Sequence, residues 1–216
     1  MSGVVITDEI RQRVRDAIAP GLVSGLGVAE PGKMCVESAV CWALGEPHGD
    51  KPTCVHPIDR EWSIRLNDCA WLSEQARAEA LLPIALAQMG TAGTDRGVWV
   101  DAVLAGMIGR VLVYLVRALA GQLPEAERAP LLEACSLCEA APTRESLLRM
   151  VVALDRALAR ALDLALARAL DLALYLALAI DIARALANAN ARALWPQALR
   201  MIAEVTVEAY AKTASP

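Results

Sequence analysis

Cys35, Glu37, Cys41, His48 and Cys54 fall within twenty residues of one another, inside the stretch MCVESAVCWALGEPHGDKPTCVHPIDREWSIRLND that runs from Met34 to Asp68. These side chains are the types that ligate zinc or carry thiol catalysis. Glu37, Cys41, His48 and Cys54 supply one carboxylate, two thiolates and one imidazole, enough for a tetrahedral zinc site, with Asp50 available to hydrogen-bond and orient His48. Their spacing matches no standard zinc pattern. Cys54 and His56 together with Cys135-Ser136-Leu137-Cys138 offer a second ligand set. A different chemistry starts from Cys35, which sits near a helix start after Pro31-Gly32-Lys33. There the helix dipole and Lys33 would lower a thiol pKa, with His48 as base. That reading lacks the downstream histidine of papain-like enzymes, since no histidine follows His56.

The elements that must position these groups are helical. Between Met34 and Leu44 every residue except Glu37 and Ser38 is apolar, so the sequence predicts a buried helix with an acid inside it. An unpaired buried carboxylate is costly and needs a proton, a cation or several hydrogen bonds. An arginine from another helix, Arg110 or Arg117, is an available countercharge, and each cysteine is equally readable as a small buried hydrophobe. Gly45 ends the helix as a left-handed cap, and EPHGDKP follows as a loop able to bring His48 and Asp50 back toward the helix end.

Elsewhere, Thr7 or Asp8 caps a first helix from about Glu9 to Ile18, and a Gly-rich linker follows. Its GVAEPGK fits the first seven positions of a phosphate-binding loop. The fit fails because Met34 stands where the magnesium-holding hydroxyl belongs, Glu30 repels phosphate and no apolar strand precedes it. A short helix spans Ile58 to Leu66, with Trp62, Ile64 and Leu66 inward and Asp59, Arg60, Glu61 and Arg65 solvated. Ser73 with Glu74 opens a helix to about Met89 that Pro83 should kink or split. A strongly apolar core helix runs from Asp95 or Val98 to Gln122, and another from Pro124 to about Ala141 places the C-x-x-C at mid-helix. From Thr143 or Glu145 a Leu/Ala-rich amphipathic stretch reaches Ala187 or Leu194. It holds ALARALDL twice in tandem at 157–172 and has Asn188 and Asn190 as a plausible break. A last helix follows from Pro196 to about Ala211.

The predicted fold is thus all-α, a bundle of about seven or eight helices in one domain over 1–216. Residues 1–30 form the first helix and linker, 31–94 the Cys/His-containing segment, and 95–216 the core and long amphipathic helices. At 216 residues the chain can build one sizeable core. The net charge of -4, with scattered Lys and Arg, argues against a nucleic-acid partner. Charges at Asp101, Arg110 and Arg117 interrupt the longest apolar run, so no transmembrane span is expected. The N-terminus lacks the pattern of a signal peptide, which with six cysteines points to a reducing cytoplasm.

MCVESAV, GEPHGDKPTCV and RLND together resemble a signature shared by a group of small bacterial and phage proteins of helical character, over about 40 residues of the N-terminal third. No activity attaches to that group. The resemblance therefore implies nothing about mechanism, only that the three segments belong to one unit. The functional expectation from the whole chain is an interaction or assembly module that self-associates or binds a protein partner through Leu/Ala helix faces. It would contain a buried Glu/Cys/His cluster; the zinc site and the Cys35/His48 thiol enzyme are the alternatives.

Overall fold

The chain is all-α in the computed structural model, which describes residues 5–121, 125–158 and 194–213. Nine α-helices are described: α1 (Asp8–Ile18), α2 (Val36–Leu44), α3 (Pro57–Asn67), α4 (Glu74–Gln88), α5 (Gly97–Gly106), α6 (Val113–Ala120), α7 (Glu125–Ala140), α8 (Arg144–Leu158) and α9 (Trp195–Thr213). A π-helical segment, Met107–Leu112, joins α5 to α6. Among the described residues there is no strand, only an isolated antiparallel bridge between Gly27 and Met34. Of the long Leu/Ala stretch, α8 is the described part. Residues 159–193, with most of the tandem repeat and the expected break at Asn188 and Asn190, lie outside the described residues.

The described residues gather into two compact units, one drawn from 1–96 and 206–216, the other from 97–205. In the first, α2 packs against α1, α3 and α4, and α1 and α3 also touch α4. The Thr7 hydroxyl caps α1 by accepting from the Ile10 amide, and Gly45, with φ 75°, closes α2 in the left-handed conformation. Pro83 does not split α4, which runs unbroken from Glu74 to Gln88. The proline removes one backbone donor, and the buried Leu81, Ile84, Ala85 and Gln88 around it hold the rod together by packing.

The second unit is built on the apolar rod of α5, the π segment and α6, whose Val103, Met107, Val111, Leu112, Leu115 and Val116 are buried. By length and composition Gly97–Ala118 would also suit a membrane span, with half of its most apolar window buried in the protein. Glycines let its neighbours approach closely. A Cβ on Gly106 would collide with both methyl groups of Val205 and lie 3.1 Å from its Cβ. Gly106→Ala should therefore lose about 1–3 kcal/mol to overpacking against a stiff β-branched side chain. The gain in helix propensity, about 0.5–1 kcal/mol, works the other way and is smaller. Urea unfolding of the variant with no loss of stability would show that Val205 is not held there.

Candidate functional site

Glu37 lies in the first turn of α2 and is fully buried, as are Val36, Ser38, Ala39 and Val40 around it. Its company is neutral. The Gln88 side-chain amide, from the last residue of α4, donates to Glu37 Oε1 at 2.8 Å, and Ser63 Oγ from α3 donates to Gln88 Oε1 at 2.8 Å. Glu37 Oε2 has no hydrogen-bond partner. Burial pushes the Glu37 carboxyl up to about 8, outweighing the Gln88 amide, the Ser63 hydroxyl and the Arg60 charge that favour the anion. The acid is thus kept neutral at neutral pH. The arginines expected as countercharges are engaged elsewhere, Arg110 with Glu204 at 3.3 Å and Arg117 with Glu139 at 2.7 Å.

A second buried acid belongs to the same cluster. Asp59, expected to be solvated, is fully buried and pairs with Arg96 at 2.9 Å. The reason is helical register: Asp59, Trp62, Ser63, Leu66 and Asn67 form one stripe on α3, and the whole stripe faces the core whatever its chemistry. Ile64, expected inside with Trp62, lies off the stripe and is only half-buried. Burial raises Asp59, with the neighbouring Arg96 guanidinium pulling the other way. Arg96 also stacks over the Tyr210 ring, 5.2 Å from its centroid, and Trp62 Nε1 donates to Thr206 Oγ1 at 2.9 Å, so the last turns of α9 join the cluster.

The flanking loops are zipped to the same helices. Thr91 Oγ1 accepts from the His56 amide at 2.9 Å and donates to the Gln88 carbonyl at 2.7 Å. The Gly90 and Ala92 amides both donate to the Cys54 carbonyl. Asn67 Oδ1 accepts from the Val36 amide at the start of α2, while Asn67 Nδ2 donates to the Val23 carbonyl. Ser38 Oγ donates to the Gly49 carbonyl at 2.9 Å. The MCVESAV, GEPHGDKPTCV and RLND segments thereby meet around α2.

The proposed zinc ligands are not assembled. His48 is exposed, with Nε2 3.2 Å from the Gly27 carbonyl, while Glu37 is sealed in the core. Cys41 and Cys54 are buried and both lie near Glu46, whose carboxylate is held by the Thr53 amide and hydroxyl. Among the described residues no group of three or more His, Cys, Asp or Glu side chains is arranged to hold a metal ion. The loop does fold back, but the Gly27 carbonyl receives its imidazole, and Asp50 stays half-buried in the same loop.

Cys35 does cap α2, its sulfur accepting from the Ser38 amide at 3.3 Å, yet its pKa moves opposite to the expectation. Burial of the sulfur raises it and outweighs the Ser38 amide, while Lys33 is occupied with Glu30 at 2.5 Å on the surface. Burial likewise pushes Cys41 up to about 12 and Cys135 up to about 11, and raises Cys54 and Cys138. None of the six cysteines is in a disulfide and all are buried, the C-x-x-C pair at the interior face of α7 included. Native protein at neutral pH should therefore leave a thiol reagent nearly untouched and release six equivalents on denaturation. Rapid native labelling of Cys35 would reverse that assignment.

Asp59, Ser63, Gln88, Thr91, Arg96 and Tyr210 were not singled out by residue type as members of the cluster around Glu37 and Asp59. Register was the available signal for two of them: Ser63 shares the α3 stripe with Trp62 and Leu66, and Gln88 is one turn beyond Ile84 on the buried side of α4. No family model, curated protein or solved structure matches the chain.

Proposed function

We propose that the chain is an α-helical interaction module that self-associates through apolar helix surface left uncovered by its own packing. The observation that carries this reading is on α8. Leu147, Met150 and Val151 are buried, whereas Leu148 and Val152, four residues apart on the neighbouring face, are 40% and 44% exposed. Among the described residues the apolar arc of this helix is wider than its neighbours cover, and Leu137 on the adjoining α7 is exposed as well. A stripe repeating at i, i+4 on one helix can meet its own copy about a two-fold axis, which makes a homo-oligomer the natural partner. The thiols, all buried and none in a disulfide, fit a reducing compartment and a structural role.

Light scattering across a concentration series tests the reading. The full chain should have the mass of a dimer or larger. Leu148→Glu with Val152→Lys, which places an ion pair four residues apart and so preserves the helix, should return it to monomer with unchanged circular dichroism. A wild-type monomer at every concentration would overturn self-association.

A further inference from the structure

The junction of α2, α3 and α4 is closed by one carboxyl group. Glu37 on α2 accepts from the neutral side-chain amide of Gln88 on α4, and the Ser63 hydroxyl of α3, which donates to Gln88 Oε1, stands beside the acid as well. Its second oxygen is fully buried and has no partner. The charged and titratable groups facing it from the packed elements are Asp59 and Arg60 of α3, Cys35 at the N-cap of α2 and Cys41 within it, Cys54 of the loop between α2 and α3, and Tyr210 of α9. Arg96 sits beyond them, committed to Asp59. Arg60 is the cation nearest in effect, but it is half-exposed and makes no ion pair with the acid. An anion formed at Glu37 would meet one amide, the Ser63 hydroxyl and the field of a half-exposed Arg60, which together do not offset its removal from water among apolar side chains.

We propose that this junction is a proton-operated latch: α2, α3 and α4 are locked together while Glu37 carries a proton on its second oxygen, and they loosen when that proton passes to solvent base. The covalent chain is unchanged; the transferred species is one proton. Opening lets water reach the carboxylate and restores the solvation that burial removed. Such a device would couple unit 1 to a mildly alkaline shift, and it stands whether or not the chain self-associates.

Amide hydrogen exchange of the full-length protein tests it. Between neutral and about pH 9, after correction for the intrinsic rate, amides of α2 and α4 should lose about tenfold in protection, while α7 and α8 keep theirs. Glu37→Gln, which keeps the shape and cannot ionise, should hold its protection throughout. Equal loss in wild type and variant would overturn the latch. If Glu37→Gln fails to fold, carbon-labelled glutamate in the wild-type protein gives the answer. One glutamate carboxyl resonance should titrate well above the ordinary carboxylate range, at about 8, and the absence of any such resonance would overturn the proposal.

Discussion

Arg96→Met is expected to destabilise the first unit by about 3–5 kcal/mol, because it strips the cationic partner from a fully buried carboxylate. Asp59 is shut off from solvent, Arg96 is 5% exposed, and they meet at 2.9 Å, with the Thr91 and Tyr210 hydroxyls as the acid's uncharged neighbours. Methionine keeps the length of the arginine stem and its contact with the Tyr210 ring, so packing alone does not account for a loss of that size. The loss should grow with pH. Burial already raises Asp59, and without the guanidinium the acid would be carried into the fold protonated at an increasing cost. Removing both partners, with Asp59→Leu added, should recover much of the stability, since an apolar pair of matching volume leaves no orphaned charge. Urea unfolding of the two single variants and the double variant measures this. A single-variant loss below about 1 kcal/mol would mean that the acid finds another donor.

Wild-type protein should become less stable as pH rises from about 4.5 to about 8, the interval between the ordinary and the folded values for Glu37. The sign follows from linkage. Within that interval the unfolded chain has released the Glu37 proton and the folded chain still holds it, so raising the pH favours the unfolded chain. The stability is fully present below the lower value and fully spent above the upper one. Within the window the slope approaches about 1.4 kcal/mol per pH unit. Asp59, also raised, contributes a slope of the same sign that begins nearer pH 3.8. The buried thiols contribute another that begins near pH 9. Glu37→Gln should flatten the middle of the curve and leave both ends. A wild-type profile that is level from pH 5 to 8 would place a charge on Glu37 in the folded state and remove the basis for a proton-linked junction.

Helices of this chain are legible from local signals because each signal acts within a turn or two. The Thr7 hydroxyl and Gly45 backbone close their helices where their residue types predict, and the lone acid in an apolar helix is buried. Polarity misleads where register dominates. Asp59 looks like a surface residue beside Arg60 and Glu61, but it stands three residues before Trp62 and seven before Leu66 on the same stripe, and a rigid helix cannot bury those two without it. Pro83 misleads in the opposite way: one lost hydrogen bond is outweighed by the packing on either side of it.

The set of groups with chemical capacity was determined by the sequence alone: two histidines, six cysteines and an acid in an apolar helix. The tertiary structure decided which of them meet. Contacts such as Glu37 with Gln88, 51 residues apart, or Trp62 with Thr206, 144 apart, depend on which helices pack together and at what rotation, and residue types near either partner do not encode that. The imidazole, 11 positions from the acid in sequence, goes to the Gly27 carbonyl at the surface because a loop rich in Gly and Pro takes its course from the hydrogen bonds it finds. The thiols, reactive by type, are raised by the solvent exclusion that the assembled core imposes on them. Residue chemistry is local, whereas solvation and partnership are properties of the packed helices, and here those two decide which groups carry charge.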